Sequence, residues 1–136
     1  MALTHMVLNF FYRLLLVALL APLAVTTSSR AIEPEGWVDC LYNNSKLRCR
    51  RTFLCSNAPC SRFKLEWSDG VSDIYSLSRD VGRNLAYYND PRGGEWLLRG
   101  FAGSFALVNQ SNGNTAIYDM TLQSCRQSGL SDLCGG

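Results

Sequence analysis

Six cysteines in a short chain whose only histidine, His5, lies at the extreme N-terminus constrain this sequence more than any other feature. Cys40, Cys49, Cys55, Cys60, Cys125 and Cys134 all follow an apolar N-terminal run. An even count in a short exported chain reads as three disulfides. A zinc site is the poorer alternative. Cys49, Cys55 and Cys60 are separated by five and four residues, with no C-x-x-C pair and no nearby imidazole. Sequence alone does not choose among the possible disulfide pairings.

Export is read from the N-terminus. Arg13 precedes an apolar run of 12 residues, Leu14 to Val25, interrupted only by Pro22 and followed by the polar Thr26–Arg30. A spanning helix needs about 20 apolar residues, whereas a signal core needs about 7–15. Ser29 and Ala31 supply a small-x-small site, so cleavage is expected after Ala31, leaving Ile32 first. Read from Val7 to Val25, the same segment would serve as an uncleaved anchor, and that alternative stays open. No cysteine closely follows the run, which argues against lipid attachment. The expected organisation is a signal peptide at 1–31, a lead-in at 32–36, a β domain at 37–125 and an irregular tail at 126–136 tied by a disulfide. The compartment would be periplasmic or extracellular, with no stable membrane insertion after cleavage.

Cleavage also changes the charge. The full chain has 13 basic and 11 acidic residues, and loss of Arg13 and Arg30 leaves 11 of each. The mature domain is neutral, so its composition gives no reason to expect nucleic acid as a partner. With His5 gone, histidine-based acid–base catalysis and histidine metal ligation are excluded from the mature domain.

The mature chain alternates with period two rather than 3.6, which predicts an all-β domain. In "RFKLEW", Phe63, Leu65 and Trp67 face one way and Arg62, Lys64 and Glu66 the other. Ser68–Gly70 reads as a turn. Asn43–Asn44 reads as a hairpin tip that puts Val38, Cys40 and Tyr42 on one face with Leu47 and Cys49. "EWLLR" turns Trp96 and Leu98 inward and Arg99 outward. Gly100 and Gly103 bracket an expected turn, and Ala116, Tyr118, Met120 and Leu122 form one face of a last strand. About eight short strands with short connections predict an antiparallel meander closing into a small barrel. The ribbon Gly93–Asp119 would form one wall and carry a binding edge.

Candidate chemistry is sparse. Arg48, Arg50 and Arg51 form a basic run, Arg62 and Lys64 share an outward face, and Arg92 and Arg99 flank a hairpin. They suggest an anion- or partner-binding face. The competing reading is a solvated surface balanced by Asp39, Glu66 and Asp73. Asp69, Asp73, Asp80, Asp90, Glu95 and Asp119 offer carboxylates, yet most fall in turns, where aspartate caps backbone. Serines and threonines lack a histidine partner, and a Ser–Lys pair would have to use Lys46 or Lys64. Neither lies in a nucleophile-like motif, so no enzymatic activity and no cofactor are expected. Trp37, Trp67 and Trp96, with Tyr42, Tyr75, Tyr87, Tyr88 and Tyr118, suit a core as well as a ligand pocket. "NNS" at 43–45 and "NQS" at 109–111 match the N-glycosylation sequon.

"DGVSDIYSL", "VGRNLAYYND", "EWLLRG", "SFALV" and "LQSC" follow one another between Phe63 and Cys125. In that stretch the layout resembles the small periplasmic inhibitors of c-type lysozyme, which are secreted antiparallel β-barrels. The resemblance implies that Arg99 stands where the family has a lysine that enters the lysozyme cleft. The Val81–Asn84 loop, with Arg83, stands where the family has a Ser-Gly loop. Arginine replaces lysine here, no serine adjoins Gly82, and Cys49–Cys60 and Asn109–Asn114 have no counterpart.

The expectation is a non-enzymatic exported binding module for a protein or cell-envelope component, contacted through Arg99, Arg92 and Arg83. A lysozyme-type inhibitor and a small-ligand carrier using the barrel mouth are the alternatives.

Overall fold

The computed structural model describes residues 32–55 and 60–135; the expected signal peptide at 1–31 lies outside them. Eight antiparallel strands follow one another around a closed barrel. They are β1 (Val38–Tyr42), β2 (Ser45–Phe53), β3 (Arg62–Trp67), β4 (Ser72–Gly82), β5 (Leu85–Asn89), β6 (Glu95–Phe101), β7 (Ser104–Asn109) and β8 (Thr115–Tyr118). Closure comes from β1 pairing with β8, with Cys40 opposite Tyr118. The ribbon from Gly93 to Asp119 forms part of the wall and is hydrogen-bonded on both flanks, so it offers no free backbone edge. Closure satisfies the edge groups that an open meander would expose.

Period-two alternation fills the interior. Phe63, Leu65, Trp67, Tyr75, Tyr88, Trp96, Phe105, Leu107 and Tyr118 are buried there. The Phe63 ring lies within 5.2–5.6 Å, centroid to centroid, of Tyr88, Tyr75 and Phe105. Such pairs contribute about 0.5–1.5 kcal/mol each beyond the area they bury. Burial pushes the Tyr75 phenol well above its ordinary range.

The hairpin turns depend on residues that accept left-handed backbone. Asn43 and Asn44 have φ of 47° and 67°, and Arg83 and Asn84 have 52° and 61°. Two consecutive positive values are the conformation that matches strand twist in a two-residue hairpin. The third such turn is Ala102–Gly103, not a loop bracketed by Gly100. Gly100 stays in β6 because the β4–β5 tip packs on it. A Cβ at 100 would lie 3.2 Å from the Asn84 Cβ, and the Gly100 N–H donates to the Asn84 carbonyl at 2.9 Å.

The pairing of cysteines is local: Cys40–Cys49, Cys55–Cys60 and Cys125–Cys134. Cys40 and Cys49 do face the core, as the hairpin parity requires.

The C-terminus is more ordered than the expected irregular tail. Strand β8 stops at Tyr118, and Asp119 takes a positive φ of 57°. Met120 and Leu122 therefore leave the inner face of the barrel. A five-residue helix, α1 (Leu122–Arg126), is capped by Thr121, whose hydroxyl accepts the Ser124 N–H at 3.1 Å. A 3₁₀ turn follows at Ser131–Leu133. Met120, Cys125, Leu130 and Cys134 pack on Leu41, Ala106 and Ile117, which are outward residues of β1, β7 and β8. This cap forms a second small core on the outside of the barrel.

Candidate functional site

The cations expected to reach a partner have unequal fates. Arg99 is outward, but the cap holds it. Its Nη1 and Nη2 donate to the two Asp132 carboxylate oxygens at 2.8 and 3.1 Å, and Nη2 also donates to the Gly129 carbonyl at 3.3 Å. The paired donors hold the Asp132 carboxyl below its ordinary value and raise the guanidinium. Arg99 is thus a clamp between β6 and the cap, which corrects its reading as a free head at a strand end. Arg92 sits in the turn before β6 and donates to Asp73 at 3.0 Å, with Asp90 3.7 Å away. Arg83 is exposed in the β4–β5 turn, where every residue from Ser78 to Asn84 is exposed.

The turn carboxylates have structural roles. Asp69 accepts the Val71 N–H, and Asp80 accepts the Gly82 N–H. Asp90 is buried and accepts from the Arg92 and Gly94 amides and the Trp96 indole at 2.8–2.9 Å. Burial raises its pKa, but those three donors and the Arg92 charge outweigh it, and the net shift is downward. Asn109 is buried and accepts from the Ser111 and Asn112 amides, whereas Asn43 is exposed at its hairpin tip. Among the described residues no three His, Cys, Asp or Glu side chains are placed to hold a metal.

The basic run at 48–51 splits. Arg48 and Arg50 point outward, opposite Asp39 and Glu66, while Arg51 points inward, opposite Leu65. The outer face of β2–β3 then carries Lys46, Arg48, Arg50, Arg62 and Lys64. Asp39 and Glu66 are the carboxylates paired with it: Arg48 lies 3.9 Å from Asp39, and Arg50 and Lys64 lie 3.0 and 3.5 Å from Glu66. Asp73, expected to balance this face, lies on the inward register and serves Arg92 instead. Five cations meet two carboxylates, a local excess of three positive charges within residues 32–136, whose formal net charge is zero. Trp37 lies partly exposed over this face, with the Arg50 guanidinium 4.8 Å from its ring. The Arg48 Nη2 donates to the Trp37 carbonyl at 2.6 Å.

The second feature is the barrel mouth at the other end of β2. A recess of about 480 Å³ opens there, floored by Phe63, Tyr88, Leu98 and Phe105 and rimmed by Phe53 and Phe101. Phe53 and Phe101 are 40% and 43% exposed, high for aromatic rings. Arg51 lines the same recess. Its Nε and Nη2 donate to the Glu35 carboxylate at 2.7 and 3.1 Å, and the Tyr118 hydroxyl donates to Glu35 at 2.9 Å. The lead-in is therefore docked by its one inward acid. Arg51 holds Glu35 below its ordinary value, and burial together with Glu35 pushes the Tyr118 phenol up to about 12.

Parity along β2 could have separated Arg51 from its neighbours in the sequence. Nothing local marks Glu35 or Asp132 as their partners. No helix among the described residues is long and apolar enough to cross a membrane. Comparison with protein-family models, with curated proteins and with solved structures finds no match to this chain in any of the three.

Proposed function

We propose that this chain is an exported, non-enzymatic binding module whose β2–β3 outer face takes an anionic polymer of the cell envelope. The observation behind this reading is the charge asymmetry: Lys46, Arg48, Arg50, Arg62 and Lys64 against Asp39 and Glu66. A strand places every second residue on one face about 7 Å apart, so Lys46, Arg48 and Arg50 form a straight cationic row. A row suits a chain of repeated anions better than a single small one. Three disulfides suit an oxidising compartment. The aromatic side chains packed through the barrel interior weigh against a carrier with an internal ligand cavity.

The test is co-sedimentation with purified anionic wall polymer. Binding should weaken steeply between about 0.05 and 0.5 M salt, as screening requires. Replacing Lys46 and Arg62 by Glu turns the face from net +3 to net −1 and should abolish binding. Equal binding by that variant, or salt-insensitive binding, rejects the proposal.

A second reading, inhibition of a c-type lysozyme, is favoured by the exposed β4–β5 hairpin that presents Arg83. It predicts inhibition that Arg83→Ala removes and that does not require Arg99.

A further inference from the structure

We propose that Arg51 and Tyr118 form a carboxylate-binding subsite at the barrel mouth that Glu35 fills in cis. The external ligand we infer is an extended peptide segment with an acidic side chain and an aromatic residue two positions away. The argument starts from what Arg51 does inside a barrel. Its guanidinium lies 4.3 Å from the Phe53 ring, 4.7 Å from Tyr118 and 5.6 Å from Phe105. Its side chain is 19% exposed. A guanidinium so far withdrawn from water needs an anion. The donors are complete for one carboxylate: two guanidinium N–H groups in a fixed fork and one phenol O–H.

The donors and the acceptor differ in how they are held. Arg51 and Tyr118 stand on β2 and β8 of the closed barrel. Glu35 stands on a short strap before β1, where Ile32, Glu33, Pro34, Gly36 and Trp37 are all exposed. One backbone–backbone bond, from the Glu35 N–H to the Arg51 carbonyl at 2.7 Å, supports it, and two residues on the Arg48 Nη2 holds the Trp37 carbonyl at 2.6 Å. The first bond sets the Glu35 backbone beside β2 while its carboxylate reaches Arg51 and Tyr118.

The strap uses only part of the site. None of residues 32–37 lines the recess, whose floor is Phe63, Tyr88, Leu98 and Phe105. A peptide whose acid took the place of Glu35 would bring the side chain two positions away, on the same face of an extended chain, to that floor. An aromatic ring fits it best, because rings already meet edge-to-face around Phe63. The acid supplies the charge match and the ring supplies the buried area. Arg51 and Tyr118 point inward and are not residues of the β2–β3 outer face, although Trp37 of the same strap lies over that face.

The experiment uses the mature chain and two probes, acetyl-Phe-Gly-Glu-amide and its Gln counterpart, titrated by NMR. In wild type the Glu probe must compete with Glu35. Glu35→Gln removes the competitor and should tighten the Glu probe by about tenfold. On that variant the Gln probe should bind about tenfold more weakly than the Glu probe, since it cannot accept charge-assisted bonds in both positions. Tyr118→Phe, which keeps the ring, should weaken the Glu probe about threefold, the loss of one hydrogen bond. A melting curve confirms that each variant is folded. If Glu35→Gln fails to tighten the Glu probe, or if the two probes bind that variant equally, Glu35 is only a strut and the subsite does not exist.

Discussion

Arg99→Ala is the sharpest test of how the cap is held. Three interactions are lost. The pair with Asp132 is bidentate, but the two side chains are 28% and 61% exposed, so solvent screening keeps it at about 0.5–1 kcal/mol. The bond to the Gly129 carbonyl adds roughly 0.5–1 kcal/mol. The aliphatic stem lies on β6 between Leu85 and Ala106, and its removal adds a few tenths more. The sum is about 1–2 kcal/mol. For a domain of this size it corresponds to a fall in Tm of roughly 5–10 °C. The loss should concentrate in the cap, where hydrogen exchange at Leu133 and Cys134 should accelerate by about tenfold. A double-mutant cycle with Asp132→Asn should return a coupling of about 0.5–1 kcal/mol. An unchanged Tm and unchanged cap exchange, with weakened partner binding, would refute the clamp and restore Arg99 as a contact residue.

Replacing Cys125 and Cys134 by Ala opens a loop of nine-residue separation and should cost about 2–3 kcal/mol, measured by urea denaturation. Thr52 is buried with a hydroxyl that has no hydrogen-bond partner among the described residues, so Thr52→Val should be neutral or raise Tm by a few degrees. Glu35 and Asp132 have folded-state pKa values below their ordinary 4.5 and 3.8. The stability they add is complete above those ordinary values and is lost as pH falls through the lower folded ones. Acid titration of wild type should therefore show a loss that Glu35→Gln and Asp132→Asn reduce. In a host that N-glycosylates secreted chains, peptide mapping of folded protein should find glycan at Asn43 and none at Asn109.

The barrel was legible because its signal is local. "RFKLEW" alternates without a break, and the structure pairs those residues as β3 with the odd positions inward. Two adjacent asparagines mark the β1–β2 tip because they tolerate positive φ. The turn at Ala102–Gly103 is hard to place from sequence because Gly100 resembles a turn residue. Its actual reason, the Asn84 tip packed on it, comes from a neighbouring hairpin. The cap was not legible for a similar reason. A five-residue helix is too short to show a 3.6-residue period, and its apolar residues answer to Leu41, Ala106 and Ile117 on distant strands. Charge partners are the least legible of all. Arg99 finds Asp132 across 33 positions, and Arg51 finds Glu35 across 16.

Closure of the barrel links these observations. A meander that closes has no backbone edge to offer, so recognition must come from side chains on the outer wall or at the mouths. Much of the outer wall is already used: the cap covers Leu41, Ala106 and Ile117, and Arg99 is committed to holding it. At the mouth opposite Arg51, Asp90 is consumed by the Trp96 indole and two turn amides. Among the described residues, the β2–β3 face, the Ser78–Asn84 hairpin and the Arg51 mouth still present charged side chains. Strand β2 contributes to the first and third, because alternation sends Arg48 and Arg50 outward and Arg51 inward. A one-residue slip of β2 against β3 would exchange these roles and bury Arg50 in place of Arg51. The Cys40–Cys49 disulfide ties β2 to β1 beside that boundary and guards the register on which both proposed surfaces depend.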